Sequence, residues 1–261
     1  LMGMPGTGGS FVRIGPWKYF LDGTFSTKTA WLHEPYAGEP ENSGSPTGSP
    51  AYYRRLIYQA ARKRRRTAFH AIGDRAVSTL LDAVEDAAHY HPEVTNLRLR
   101  LEHAQLIRKE DMPRLRRLGV LIAAQPHAMW HPDKDRAILG DARYEHAYPY
   151  RSLLDAGVHL SFGSDVPGED TVDPLYGMHL AVNRRGREAI SVEEALRCYT
   201  VESAYAEGLE RRKGTLSPGH FADFVVLSED PLTIAEEQIK EIAVLETVVA
   251  GRSVFQKGTV G

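Results

Sequence analysis

The sequence predicts an α/β fold built on a parallel sheet, with a small β module at its C-terminal end. Three observations predict it. Short β-rich runs alternate five times with amphipathic helical patterns, as repeated β-α units do. The 261 residues suit one large domain with a small appendage, and 42% apolar with 25% charged residues is ordinary globular usage. Past Ile190 the alternation stops, and the later β-rich runs carry no long helices between them.

The elements follow in order. The first run, Trp17-Lys18-Tyr19-Phe20-Leu21, ends at Asp22-Gly23. The Gly-, Pro- and Ser-rich stretch 34–50 reads either as a functional loop or lid, or as a solvated excursion. Helical spacing covers 51–63, and the basic run 62–66 closes it, where cations favour the helix dipole. The second run, 66–72, ends at Gly73-Asp74 and leads into a helix over 75–89. The third, 97–103, alternates apolar and polar residues with period two and precedes a helix over 109–118. The fourth, 120–124, ends at Gln125-Pro126, and the fifth, 158–163, runs into Ser164-Asp165. Ser191 with Glu194 forms a capping-box pattern that opens a helix to about Leu209. The runs 222–227 and 244–255 close the chain, the second as a hairpin turning near Ala250-Gly251. The expected division is 1–212 for the β/α portion and 213–261 for the β segment.

Charge and composition narrow the function classes. A net charge of −2 disfavours a nucleic-acid partner, and Cys198 alone supports neither a disulfide framework nor a Cys-rich zinc site. No run approaches the roughly 18 apolar residues of a membrane span, and residues 1–10 lack the pattern of a signal peptide. A cytoplasmic protein without a membrane partner is the resulting expectation. Histidine is plentiful, with 11 residues, and neutral imidazole is the commonest transition-metal ligand.

Placement makes some of those histidines interesting. His70 closes the second run, His103 closes the third, and Asp165 follows the fifth. In a β/α barrel, catalytic groups converge from the C-terminal ends of different strands. Two imidazoles and a carboxylate suit zinc and similar divalent ions. Lys18 lies inside an otherwise apolar run; it either points inward, as a nucleophilic or carboxylated amine, or points outward or pairs with a carboxylate such as Asp22. His127, Trp130 and His131 form a loop cluster with either a substrate role or none. Phe25, Trp31, Tyr36 and Trp130 near the strand ends give the expectation of an apolar or aromatic substituent on the substrate.

Lys18-Tyr19-Phe20-Leu21-Asp22-Gly23, His70-Ala71-Ile72-Gly73-Asp74, Glu102-His103-Ala104-Gln105, Gln125-Pro126-His127 and Phe162-Gly163-Ser164-Asp165-Val166-Pro167 resemble, in order, motifs of the amidohydrolase superfamily. The nearest branch is amidohydrolase family 3, which includes N-substituted formamide deformylase. The stretch 213–227 resembles the segment where such chains leave the barrel for an accessory β-sandwich, and the likeness spans about 15–256. The resemblance implies a (β/α)8 barrel, here strands 4 to 8, with a metal-dependent hydrolase acting on non-peptide C–N bonds. It implies a divalent metal, zinc above all, held by Lys18, His70, His103 and Asp165, with a carbamate on Lys18. It also implies that Asp165 takes a proton from the attacking water and that His127 contacts the substrate carbonyl. Asp22 and Gln105 would orient the ligands, or make ordinary capping bonds. A small amide-type molecule is the implied substrate.

The family also carries a His-x-His pair before the segment that matches Lys18, and this sequence has none at that place. His89 and His91 have the spacing, but they follow the second run, precede Pro92 and read as solvated. The chain begins with Leu1, and the expectation is that it is part of a longer enzyme or is completed by another chain, as in a homo-oligomer. Two other functions compete with amide hydrolysis: a catalytically inactive metal-binding domain, and a deaminase, ester hydrolase or cyclic-amide hydrolase on the same site.

Overall fold

The computed structural model describes residues 12–169 and 171–258. Its first strand, β1, is Trp17–Phe20, followed by helix α1 (Pro50–Lys63), β2 (Thr67–Ala71), α2 (Asp74–Tyr90), β3 (Arg100–His103), α3 (Met112–Arg117) and β4 (Leu121–Ala124). Short helices α4 (Pro132–Leu139), α5 (Asp141–Tyr144) and α6 (Tyr150–Asp155) precede β5 (Leu160–Phe162). Then come α7 (Pro174–Val182), α8 (Val192–Tyr199), α9 (Val201–Glu207) and three more strands, β6 (Phe224–Leu227), β7 (Val244–Val249) and β8 (Arg252–Gln256). The first five strands form one sheet in chain order, and β1 to β4 pair in parallel. The last three form an antiparallel sheet.

By internal contacts the chain divides into two compact units. One holds residues through Ala124 and His131–Leu160; the other holds Gln125–Trp130 and everything from Ser161, including all of 213–261.

In the first unit, Phe69, Leu80, Leu81, Leu99, Leu101 and Leu115 are fully buried, as expected for a strand layer covered by helices. Ser49 caps α1 by accepting from the Tyr52 amide at 3.2 Å, and Arg64 ends it in a left-handed conformation, φ 48°. The stretch 34–50 is largely exposed, with Tyr36 buried, and hydrogen bonds tie it to the preceding residues. Leu32 donates its amide to Ser43 O and Tyr36 to Asn42 O, both at 2.8 Å, and the Tyr36 hydroxyl donates to Ala30 O at 2.7 Å. Phe25, Trp31 and Tyr36 are buried in this packing, so they leave no surface for a substrate substituent. The segment just before this loop caps α2. Gly73 supplies no side chain there, and the Trp31 carbonyl accepts from the Arg75 and Ala76 amides at 3.1 and 3.4 Å.

In the second unit, the capping box on α8 is present: Ser191 Oγ accepts from the Glu194 amide at 3.2 Å, and Glu194 accepts from the Ser191 amide at 2.9 Å. The helix expected to reach Leu209 is broken at Thr200, φ −115° and ψ −82°. Its hydroxyl donates to Leu196 O at 2.7 Å, the back-bonding by which Thr competes with the helix ladder. The β7–β8 hairpin turns on Ala250 and Gly251, φ 51° and 76°, the pair of positive angles a two-residue turn needs.

Candidate metal centre and its surroundings

Register decides which side chains share a face. Lys18 pairs with Ala68, which pairs with Arg100; Phe20 pairs with His70, which pairs with Glu102. Paired residues of parallel strands point the same way, so Lys18, Phe20, His70, Arg100 and Glu102 line one face. Simple alternation would put His103 on the other face. The backbone prevents this: His103 and Ala104 take φ 74° and 46°, turning the chain as the strand ends. The His103 ring then meets that of His70 edge-on, with centroids 4.4 Å apart.

The other hydrogen bonds fix the His70 tautomer. Its Nε2 lies 3.0 Å from the Gly23 carbonyl, which can only accept, so Nε2 carries the proton and Nδ1 is the lone-pair nitrogen. Asp22 holds Gly23 in place. Its buried carboxylate accepts from the amides of Trp31, Ile72 and Gly73 at 2.8–3.0 Å and lies 3.6 Å from His70 Nε2. Burial pushes the Asp22 carboxyl up to about 7, against the three amides, which favour its charged form. Of the two readings open for Asp22, the structure shows the capping bonds, at the entry to α2.

Lys18 is exposed, and its Nζ sits 5.3 Å from the Phe20 ring centroid. Phe20 in turn lies 5.0 Å from the His70 ring and is 55% exposed, so the contacts from Lys18 to the imidazoles run through an aromatic ring. On the same face Arg100 Nε donates to Glu102 at 2.5 Å, a charged pair that the period-two alternation of the third run foreshadows but does not single out. Gln105 is buried, and its carbonyl accepts from the Tyr148 amide at 2.6 Å.

In the second unit, Asp165 is exposed at the end of β5 with φ 61°, and its carbonyl accepts from the Gly168 amide at 2.7 Å. His127 lies in the turn after β4, only 2% exposed, and its Nε2 donates to Asp173 O at 2.9 Å. Trp130 is 46% exposed and tilts against Tyr176 at 5.2 Å. His89 is exposed in the last turn of α2, and His91, just past its end, is half-buried beside Glu93 at 3.7 Å.

The donor chemistry of His70 and His103 fits a divalent metal as half of a ligand set. Zinc in a catalytic site needs three protein ligands and a water. Among the described residues, no group of three His, Cys, Asp or Glu side chains is gathered closely enough to hold an ion. Among them, too, no helix is long and apolar enough to cross a membrane.

The sequence profile of the amidohydrolase family matches residues 1–255. The chain is 34% identical over 265 residues to the putative amidohydrolase YtcJ of Bacillus subtilis, covering 95% of this chain and 48% of that protein. It is 30% identical over 250 residues to the N-substituted formamide deformylase of Arthrobacter pascens, covering 92% of this chain and 45% of that protein. Among solved structures, an uncharacterized metal-dependent hydrolase from Pyrococcus horikoshii superposes with a TM-score of 0.78 at 29% identity, over 89% of this chain and 48% of that one. Its counterpart from Pyrococcus furiosus gives 0.77 at 34% identity, over 88% and 47%. The chain spans about half the length of the relatives it matches.

Proposed function

The chain belongs to the amidohydrolase family, and from that premise we propose that it serves a metal-dependent hydrolase that cleaves a non-peptide amide-type C–N bond. The observation that carries this reading is the His70–His103 pair at the C-terminal ends of adjacent parallel strands, 4.4 Å between ring centroids. His70 would bind through Nδ1, because its Nε2 is committed to Gly23 O. Lys18, as a carbamate, and Asp165 are the family's remaining ligands and would complete the set, with zinc the ion such a set suits. A bound divalent ion lowers the pKa of water toward about 7 and polarises a carbonyl. In that chemistry Asp165 would accept the proton of an attacking water and pass it to the leaving nitrogen, which would depart as an amine while the acyl carbon kept the water oxygen. The five strands take the place of the last five of an eight-stranded barrel, and the C-terminal sheet that of part of a sandwich. A small-molecule amide is the substrate class, and the cell interior is the compartment we assign.

Zinc titration by calorimetry tests the centre. One ion should bind, and His70→Ala or His103→Ala should weaken binding at least about tenfold, because a site with few ligands has little redundancy. Equal affinity in both variants would place the ion elsewhere and overturn the reading. A second reading, a metal-binding domain without catalysis, has one observation in its favour: no third side chain yet joins the two imidazoles among the described residues. It requires zinc to bind as above with no amide turned over.

A further inference from the structure

The family resemblance sets His127 against the substrate carbonyl, but the ring is built for something else. It is 2% exposed, and its one donor in the neutral form, Nε2–H, is committed to the Asp173 carbonyl at 2.9 Å. The opposite nitrogen, Nδ1, is a lone-pair acceptor buried without a hydrogen-bond partner. The neutral ring therefore has nothing to donate to a substrate oxygen.

What the ring does hold is the far end of the Asp165 loop. That loop leaves β5 at Phe162 and returns at Asp173, the N-cap of α7, whose Oδ1 accepts from the Leu175 amide at 2.9 Å. The Asp173 carbonyl is a double acceptor, taking the Gly177 amide at 3.1 Å as well as His127 Nε2. The packing is just as tight. A Cβ on Gly177 would lie 2.8 Å from His127 Cε1 and 1.9 Å from the Tyr199 hydroxyl, so only glycine lets α7 seat against the ring. Between its two anchors Asp165, Val166, Pro167 and Gly168 are exposed, and the Gly168 amide donates to Asp165 O in a local turn.

We propose that His127 is a positioning residue: it pins the returning end of the Asp165 loop through the Asp173 carbonyl and so sets where Asp165 presents its carboxylate. The proposal rests on the assignment of Asp165 as proton acceptor. Misplacing a reacting group by about 1 Å can lower a rate on the order of 100-fold, which gives a buried histidine its leverage without substrate contact.

The test uses the 261 residues joined to a preceding β/α region with a His-x-His pair, zinc-loaded, with His127→Phe, His127→Gln and Gly177→Ala. Hydrogen exchange without substrate is read at the amides of Gly168, Asp173, Leu175 and Gly177. His127→Phe and Gly177→Ala should speed exchange there about tenfold or more and leave β6 to β8 as in the wild type, which marks a folded protein. The same two variants should lower kcat about 10- to 100-fold with KM within about threefold. His127→Gln, which keeps a donor, should restore most of both. Unchanged exchange in His127→Phe and Gly177→Ala, or a rise in KM at constant kcat, would overturn the proposal in favour of direct substrate contact. A wild type that turns over no amide at all would instead overturn the hydrolase reading, while the exchange measurement still decides whether His127 pins the loop.

Discussion

Asp111 has a fully buried side chain and accepts from Ser78 Oγ at 2.7 Å, Arg108 Nε at 2.9 Å and Arg114 Nη1 at 2.7 Å. Burial pushes its carboxyl up, and the hydrogen bonds from Arg108, Ser78 and Arg114 outweigh that and hold it below the usual carboxylate value. A folded-state pKa below the unfolded one stabilises the fold above the unfolded value and loses that stabilisation as pH falls through the folded one. Asp111→Asn should therefore destabilise the protein by about 3 kcal/mol at pH 7, with the gap to the wild type narrowing below about pH 4. Denaturant midpoints across that range check this, and a gap that stays constant to pH 3 contradicts it. At this scale, the sequence makes His70 and His103 legible because each closes a β-rich run, the same position in two successive β-α units. It does not reveal how His103 turns toward His70, since that depends on a backbone angle, φ 74°. Nor does it distinguish Phe25, Trp31 and Tyr36 as packing residues, because an aromatic in a loop has the same letter whether it is buried or exposed.

Among the elements, the entry to α2 is the most constrained junction. A Cβ on Gly73 would lie 2.1 Å from the Trp31 carbonyl oxygen and 2.6 Å from its carbon, backbone atoms that cannot swing aside. Gly73→Ala should cost about 2 kcal/mol or more, while Gly15→Ala, which meets nothing within 4 Å, should stay within about 0.5 kcal/mol. Chemical denaturation of the two variants separates them, and equal losses would mean that the loop yields. Removing the α8 cap by Ser191→Ala should cost about 1 kcal/mol in the same assay. The five parallel-sheet strands, helices α1 and α2 and the final hairpin were readable because their periodicity or turn residues are strong. Helices α4 to α6, of eight, four and six residues, are too short to show a full amphipathic repeat. The break at Thr200, where the backbone turns to φ −115° and ψ −82°, is not encoded in the pattern of apolar residues.

For the whole molecule, the sheet order is the main consequence of the sequence: strands lie in chain order, with His70 and His103 near the C-terminal ends of β2 and β3. The chain spans about half of its relatives, and β1, carrying Lys18, lies at the edge of the sheet. Catalysis at a metal needs a dry, shaped cavity as well as ligands. The 261 residues alone are therefore expected to bind zinc but to turn over amides poorly. The same residues joined to a preceding β/α region with a His-x-His pair should turn them over well. Equal rates at both lengths would show that the inner wall does not matter. The central claim, that an ion at His70 and His103 drives amide hydrolysis, is tested most directly by amine release from a panel of N-substituted formamides and acyl amides. The longer, zinc-loaded protein should release amine, stop after chelation, resume on adding zinc and stay silent with His103→Ala; release that persists through chelation, or that His103→Ala leaves intact, would contradict the claim.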